Sequence, residues 1–273
     1  MRNILAAHTN CYYGYPLRAA LEGIASAGFR YVELGVGRGK HAHVAIEFTW
    51  ESLRELQALL DEYGLVPGSV SGHSDLTTAQ GLDDAKRAVD FCAALGVTIM
   101  NTSVGGTHSE AEDKAAFMRH IFQLADYAEE RSVTLALEIH GDLMATGPRA
   151  VAIIREIARA NVRINYDTAN CMYYGGVKAE DDIVAAAPYL AHVHVKDSGG
   201  GPREWNFPPI GQGRVDFRRV LRILEDGGYA GPLSVEIEFY GYPYPPLDVI
   251  NAAVRASYAY LEALTTKAPR TPR

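Results

Sequence analysis

Four stretches in the second half of the chain alternate apolar and polar residues at a spacing of two. In 133–140, Val133, Leu135, Leu137 and Ile139 alternate with Thr134, Ala136, Glu138 and His140. In 162–167, Val162, Ile164 and Tyr166 alternate with Arg163, Asn165 and Asp167. In 190–196, Ala191, Val193 and Val195 alternate with His192, His194 and Lys196. In 233–239, Leu233, Val235, Ile237 and Phe239 alternate with Ser234, Glu236 and Glu238. Residues two apart on a strand share a face. Each stretch therefore has one oily face and one ionisable face. Charges are rarely buried without partners. If these four faces meet, their Glu, Asp, His and Glu must be neutralised, either by internal salt bridges or by a divalent cation. A cation does it directly, and the residues lie towards the C-terminal ends of their strands.

The rest of the chain supplies the frame. Short apolar runs alternate with longer amphipathic ones about eight times. The pattern predicts strands at 3–8, 30–35, 65–72, 97–103, 133–140, 162–167, 190–196 and 233–239. It predicts helices near 16–27, 49–63, 81–95, 110–131, 147–160, 179–187, 215–227 and 247–264. Gly28, Gly64, Gly96 and Gly228 follow helices, where a left-handed cap lets the chain turn. Strand–helix alternation implies parallel strands and right-handed crossovers. Eight units in about 250 residues fit a single α/β domain, a (β/α)8 TIM barrel. Its lumen would receive the ionisable faces, and its C-terminal mouth is where barrel enzymes do chemistry. An open doubly wound sheet would carry a Gly-rich phosphate loop after strand 1, where this chain reads HTNCYYGYP. The barrel is expected over 1–264, with a frayed tail over 265–273.

Composition narrows the function. The 273 residues are 48 % hydrophobic and 22 % charged, ordinary globular usage. A net charge of −7 repels phosphate backbones, so nucleic acid is not expected as a partner. Cys11, Cys92 and Cys171 form no CxxC, which leaves no disulfide framework or zinc knuckle and makes a reducing cytoplasm the expected setting. The first residues hold an apolar run too short for a signal peptide, and no stretch approaches the ~20 apolar residues of a membrane span.

Five segments carry a resemblance: LALEIHGDL (135–143), INYDTANCMYYGG (164–176), HVHVKD (192–197), IGQGRVDF (210–217) and GPLSVEIE (231–238). YVELG (31–35) and SVSGHSDL (69–76) match more loosely. In this order they resemble the sugar phosphate isomerase/epimerase proteins of the xylose isomerase-like TIM-barrel superfamily. The resemblance implies one divalent metal held by Glu138, Asp167, His194 and Glu236. One nitrogen and three carboxylates suit Mn²⁺ best, with Mg²⁺, Co²⁺ or Zn²⁺ as alternatives. His192 would lie one layer deeper than His194, and Glu238 above the ligand layer.

The chemistry implied is proton transfer beside the carbonyl of a keto sugar or keto-glycoside through an enediolate. The resemblance to ketose 3-epimerases gives the acid/base roles to Glu138 and Glu236. His8, His73, Asn101, His140, Asn170 and Lys196 are expected to contact the carbohydrate substrate, and Glu33 to face inward. Trp205 and Phe207 lie in a Gly/Pro-rich loop that could form a lid. His41, His43 and His108 are expected on surface loops. By resemblance such barrels are often dimers or tetramers.

The chain also departs from its relatives. Tagatose-type ketose epimerases place a substrate-binding His three residues after the metal Asp, where this chain has Asn170. Arg203 is near, but not aligned with, the Arg those enzymes use after strand 7. A 3-keto-glycoside or inositol-type ketone therefore stands beside a free ketose as substrate, and a lyase reaction, β-elimination, beside epimerisation. Abasic-site endonucleases of the superfamily use three zinc ions and a further His at position 170, which Asn170 removes. A non-catalytic sugar-binding protein is the remaining reading, and the full predicted ligand set argues against it.

Overall fold

The computed structural model describes residues 4–39, 42–106, 110–239 and 243–266, side chains at 110–112 and 266 excepted. The strands are β1 (Ile4–His8), β2 (Tyr31–Gly37), β3 (Val44–Ala45), β4 (Val66–Ser71), β5 (Ile99–Thr102), β6 (Thr134–Glu138), β7 (Val162–Asp167), β8 (Leu190–Val195) and β9 (Pro232–Val235). All pairings are parallel. The order β1-β9-β8-β7-β6-β5-β4-β2 is closed by a β1–β2 pairing. That is the eight-stranded barrel expected. The two-residue β3 hangs on the outer end of β2.

The helices are α1 (Leu17–Ala27), α2 (Trp50–Tyr63), α3 (Ala79–Leu95), α4 (Glu110–Glu129), α5 (Gly147–Ile157), α6 (Asn170–Gly175), α7 (Ala179–Ala186), α8 (Phe217–Asp226) and α9 (Leu247–Thr266). Thr49, Thr78, Thr146 and Asp216 start four of them, each side-chain oxygen accepting a first-turn N–H. Such a cap is worth about 1 kcal/mol. Gly64 and Gly96 end α2 and α3 at φ 65° and 75°. A Cβ at either would meet no atom within 4 Å, so the backbone angle alone favours glycine there.

Several boundaries differ from expectation; β2 runs to Gly37 rather than 35, and β6 ends at Glu138 rather than 140. The cap of α8 falls at Gly227, with the positive φ one residue later at Gly228. Strand ladder ends at Val235 rather than 239, although Glu236 N–H still donates to Val195 O at 3.1 Å. The helix α6 is an addition, because a six-residue turn gives no periodic signal. At the C-terminus α9 runs to Thr266, and the rest of the expected tail lies outside the described residues.

The strand parity holds. Leu135, Leu137, Ile164, Tyr166, Val193 and Val195 are buried in the apolar layer under the helices. Each such side chain contributes roughly 1.5–3 kcal/mol by leaving water. The opposite faces enter the lumen. Register shifts in β2–β4 and β7–β8 align Glu33 with Ser69, Asn165 with His192 and Asp167 with His194.

The segment after β8 is pinned at its base by one carboxylate. Asp197 Oδ1 accepts from Ser198 N and Val215 N at 2.8 and 3.2 Å, and Oδ2 from Gly211 N and Gly213 N at 2.9 and 2.8 Å. Gly199 N–H donates to Asn206 O, and Arg203 N–H to Tyr173 O. These bonds fix the loop that carries Trp205 and Phe207. In Asp197→Asn the amide NH2 must face two backbone N–H donors whichever way it turns, those of buried Ser198 and Val215 or those of half-buried Gly213 and exposed Gly211. Unsatisfied buried donors cost about 1–3 kcal/mol each, so urea unfolding should show a loss of about 2–5 kcal/mol. A change under about 0.5 kcal/mol, within the range of an ordinary surface substitution, would contradict this anchoring.

Candidate active site

β6, β7, β8 and β9 deliver Glu138, Asp167, His194 and Glu236 to one point. One ligand atom from each lies within 4.8 Å of the others, and all four residues are buried. His194 Nδ1 is 2.8 Å from Glu138 Oε1 and 3.6 Å from Glu236 Oε2. Asp167 uses one oxygen locally: Oδ1 accepts from Ala169 N and Asn170 N, both at 2.8 Å, which starts α6. Its other oxygen, Oδ2, is buried without a hydrogen-bond partner. Burial raises the Asp167 carboxyl to about 7, against the pull of Lys196. An orphaned oxygen on a carboxyl that resists ionising, facing two further carboxylates and an imidazole, is the donor set a divalent cation relieves. The four residues could hold one.

A positive side chain sits beside them. Lys196 is 2 % exposed, with Nζ 2.6 Å from Glu238 Oε2, 3.3 Å from Glu236 Oε2 and 3.7 Å from Asp167 Oδ2. Phe207 lies under its ammonium, 4.5 Å from Nζ to the ring centre. Burial opposes ionisation of Glu236, but Lys196 and His194 outweigh it and take the carboxyl down to about 2. Burial opposes Glu138 likewise, and His73 and His194 hold it well below the usual range. Both glutamates are ionised at neutral pH.

A cavity of about 330 Å³ opens above the cluster. Glu138 and Glu236 reach its floor, while Asp167 and His194 lie behind them. Five of the six expected substrate contacts line it: His8, His73, His140, Asn170 and Lys196. His73, with a side chain 35 % exposed, binds Glu138 Oε2 at 2.9 Å. His140 Nε2 lies 3.0 Å from Tyr174 Oη. Asn170 Oδ1 accepts from Lys196 Nζ at 3.4 Å. Asn101 departs from the expectation, because its side-chain amide is turned onto Glu33, beneath the cavity rather than in it.

Among the lining residues, Tyr173, Tyr174 and Asn10 were not anticipated. Tyr173 and Tyr174 enter the lining on α6, whose existence the pattern did not signal. Asn10 reaches Glu236 Oε1 at 3.3 Å from the turn after β1. Glu238 joins the site as the nearest partner of Lys196. Tyr173, Trp205 and Phe207 cluster at the mouth, Trp205 edge-to-face with both others and 42 % exposed. Arg203 is paired with Asp142 and lies over Tyr174, outside the lining. His43 is half-buried with Nε2 3.3 Å from Tyr12 O rather than free on the surface, and His41 and His108 lie outside the described residues.

His192 takes the deeper position. Its Nδ1 faces Asn165 Oδ1 and its Nε2 faces Ser69 Oγ, both at 3.0 Å. Burial lowers it to about 3. An unfolded His titrates near 6.5, so below that pH the unfolded chain binds a proton that this folded site refuses. Stability from this group is therefore full above 6.5 and falls by roughly 1.4 kcal/mol per pH unit down to about 3. His192→Asn abolishes that slope. Urea unfolding of variant and wild type should show their gap narrowing by roughly 2 kcal/mol between pH 6.5 and pH 5. A gap independent of pH would contradict a neutral buried His192.

Comparison with known proteins identifies the family and the fold. The family model described as xylose isomerase-like TIM barrel matches residues 21–261. The chain is 25 % identical over 239 residues to L-ribulose-5-phosphate 3-epimerase of Salmonella paratyphi A, covering 82 % of this chain and 83 % of that one. It is 26 % identical over 238 residues to L-ribulose 3-epimerase of Methylomonas sp. strain DH-1, covering 80 % and 77 %. Its fold matches a xylose isomerase-like TIM barrel protein from Mycobacterium smegmatis, solved in complex with magnesium, with TM-score 0.79 at 19 % identity over 97 % and 99 % of the two chains. Among the described residues no helix is long and apolar enough to cross a membrane. The match spans most of the barrel and all four residues of the acidic cluster, and the chain belongs to the xylose isomerase-like TIM barrel family.

Proposed function

We propose that the chain is a divalent-metal-dependent sugar epimerase that moves a proton at the carbon beside the carbonyl of a keto sugar, through an enediolate. The carrying observation is the pair of buried glutamates, Glu138 and Glu236, that reach one cavity floor from strands separated by β7 and β8. The 3-epimerase names of the relatives support proton return to the sugar over β-elimination.

Glu138, Asp167, His194 and Glu236 would hold the ion, taken as Mn²⁺. When bound, it would polarise the carbonyl, acidify the neighbouring C–H and balance the charge of the enediolate. The chain's own groups do the rest. One glutamate, ionised, accepts the proton from one face of the sugar, and the other returns to the opposite face a proton that it first takes from its own proton-bearing partner, His73 for Glu138 or Lys196 for Glu236. Lys196, bracketed by Glu236 and Glu238, keeps Glu236 in the form that accepts a proton. His73 donates to Glu138 and does the same there. His8, His140 and Asn170 offer hydrogen bonds to hydroxyls. Tyr173, Trp205 and Phe207 cover the mouth with apolar faces that favour the C–H side of a sugar and exclude water.

Two measurements follow. Mn²⁺ at about 100 times its Kd should stabilise the wild type by about 2.7 kcal/mol, and Asp167→Ala should lose that gain. A thermal shift in the variant equal to that of the wild type would remove Asp167 from the ion's ligands. In D₂O, metal-dependent deuterium uptake into a keto sugar should fall by about 10²- to 10⁴-fold in Glu236→Gln. Uptake at the wild-type rate would take the proton-transfer role from Glu236, and metal binding without uptake into any ketose or keto-glycoside would favour a binding protein.

A further inference from the structure

Beneath the acidic cluster lies a fifth carboxylate that no reading above employs. Glu33, on β2, is fully buried. Its Oε2 is 3.1 Å and its Oε1 3.3 Å from His194 Nε2. Asn101 donates its amide to Oε1. His192 Nε2 and His8 Nε2 stand further off, at 3.6 and 4.0 Å. None of the cavity's walls includes Glu33, so it does not meet substrate.

The ring atoms of the neighbours decide what Glu33 can do. The two other imidazoles stand beyond hydrogen-bond reach of Glu33, His8 at 4.0 Å and His192 at 3.6 Å. His8 Nδ1 accepts from Asn10 N–H at 2.8 Å, and His192 bridges Asn165 and Ser69. His194 is the imidazole within hydrogen-bond reach of Glu33. An ionised carboxylate only accepts, so Nε2 of His194 must carry hydrogen. Nδ1 is the nitrogen that faces Glu138 and Glu236; the hydrogen it shares with Glu138 Oε1 at 2.8 Å is the one that a cation bound there would displace, leaving the Nδ1 lone pair to the ion.

We propose that Glu33 is a positioning residue that holds His194 as the Nε2–H tautomer and so aims its Nδ1 lone pair at the Glu138–Asp167–Glu236 cluster. Asn101 in turn fixes Glu33. β2 is thereby tied to β8 across the lumen, and the first half of the barrel sets the ligand geometry of the second. The inference rests on the metal-centre reading above and adds a residue to it. Groups that orient a metal-bound histidine typically change affinity by about 10- to 100-fold when removed.

The test is Mn²⁺ affinity by calorimetry for wild type, Glu33→Ala and Glu33→Gln, with ¹⁵N spectra of the histidine rings in the Mg²⁺-loaded wild type. Glu33→Ala should bind Mn²⁺ about 10- to 100-fold more weakly. Glu33→Gln, whose carbonyl oxygen can accept the same N–H, should recover most of that loss. The ¹⁵N spectrum should show His194 protonated at Nε2 and bare at Nδ1, a readout that needs no variant and that a purely structural Glu33 would not set. Wild-type affinity in a folded Glu33→Ala, or a proton on Nδ1 of the loaded wild type, would overturn the proposal while leaving the metal centre standing. A wild type that binds no Mn²⁺ would instead overturn the metal centre, and this inference with it.

Discussion

Burying Glu33, Glu138, Asp167 and Glu236 inside one barrel costs several kcal/mol per ion unless each finds donors or a cation. The lumen is built around that constraint. His73 and His194 serve Glu138, Lys196 and Asn10 serve Glu236, and Asn101 and His194 serve Glu33. Asp167 is left half-served, with one oxygen closed by two backbone amides and the other without a hydrogen bond, Lys196 Nζ standing 3.7 Å from it. The imbalance is local and points to one place, between Asp167, His194 and the two glutamates. A cavity opens directly over it. The same electrostatic deficit that would attract a cation therefore sets where substrate oxygens would be drawn.

The fold makes this affordable by separating the layers. Outward residues of the strands are apolar and packed under the helices, so the barrel is stabilised without help from its lumen. Inward residues are then free to be polar. Asp197 illustrates the division at the mouth: a carboxylate next to the site does no visible chemistry, yet four backbone amides converge on it and hold the Trp205–Phe207 loop in place.

The sequence reveals the site to the extent that it repeats. Period-two alternation exposes Glu138, Asp167 and the His192/His194 and Glu236/Glu238 pairs, because strand parity is set by backbone geometry alone. Choosing His194 and Glu236 within those pairs needs the resemblance; the register of β8 on β7 sets His194 beside Asp167. Glu33 is visible as inward-facing, but its partner is not, since β2 and β8 meet only across the lumen. Asn101 reads as a mouth residue from its strand position, yet hydrogen bonding to Glu33 turns it downward. Tyr173 and Tyr174 escape altogether. They depend on α6, a single turn started by the Asp167 carboxylate rather than by any hydrophobic pattern. Glu238 is ambiguous in sequence and acquires a role only once Lys196 is seen to fold back onto it.

The central claim is that one divalent cation is held between β6, β7, β8 and β9 through His194 Nδ1. Anomalous diffraction from a Mn²⁺-loaded crystal tests it most directly. The account predicts one strong peak bonded to Glu138, Asp167, His194 Nδ1 and Glu236. A peak instead on the Nε2 side, among His8, Glu33 and His194, or no peak in the lumen at saturating Mn²⁺, would contradict it.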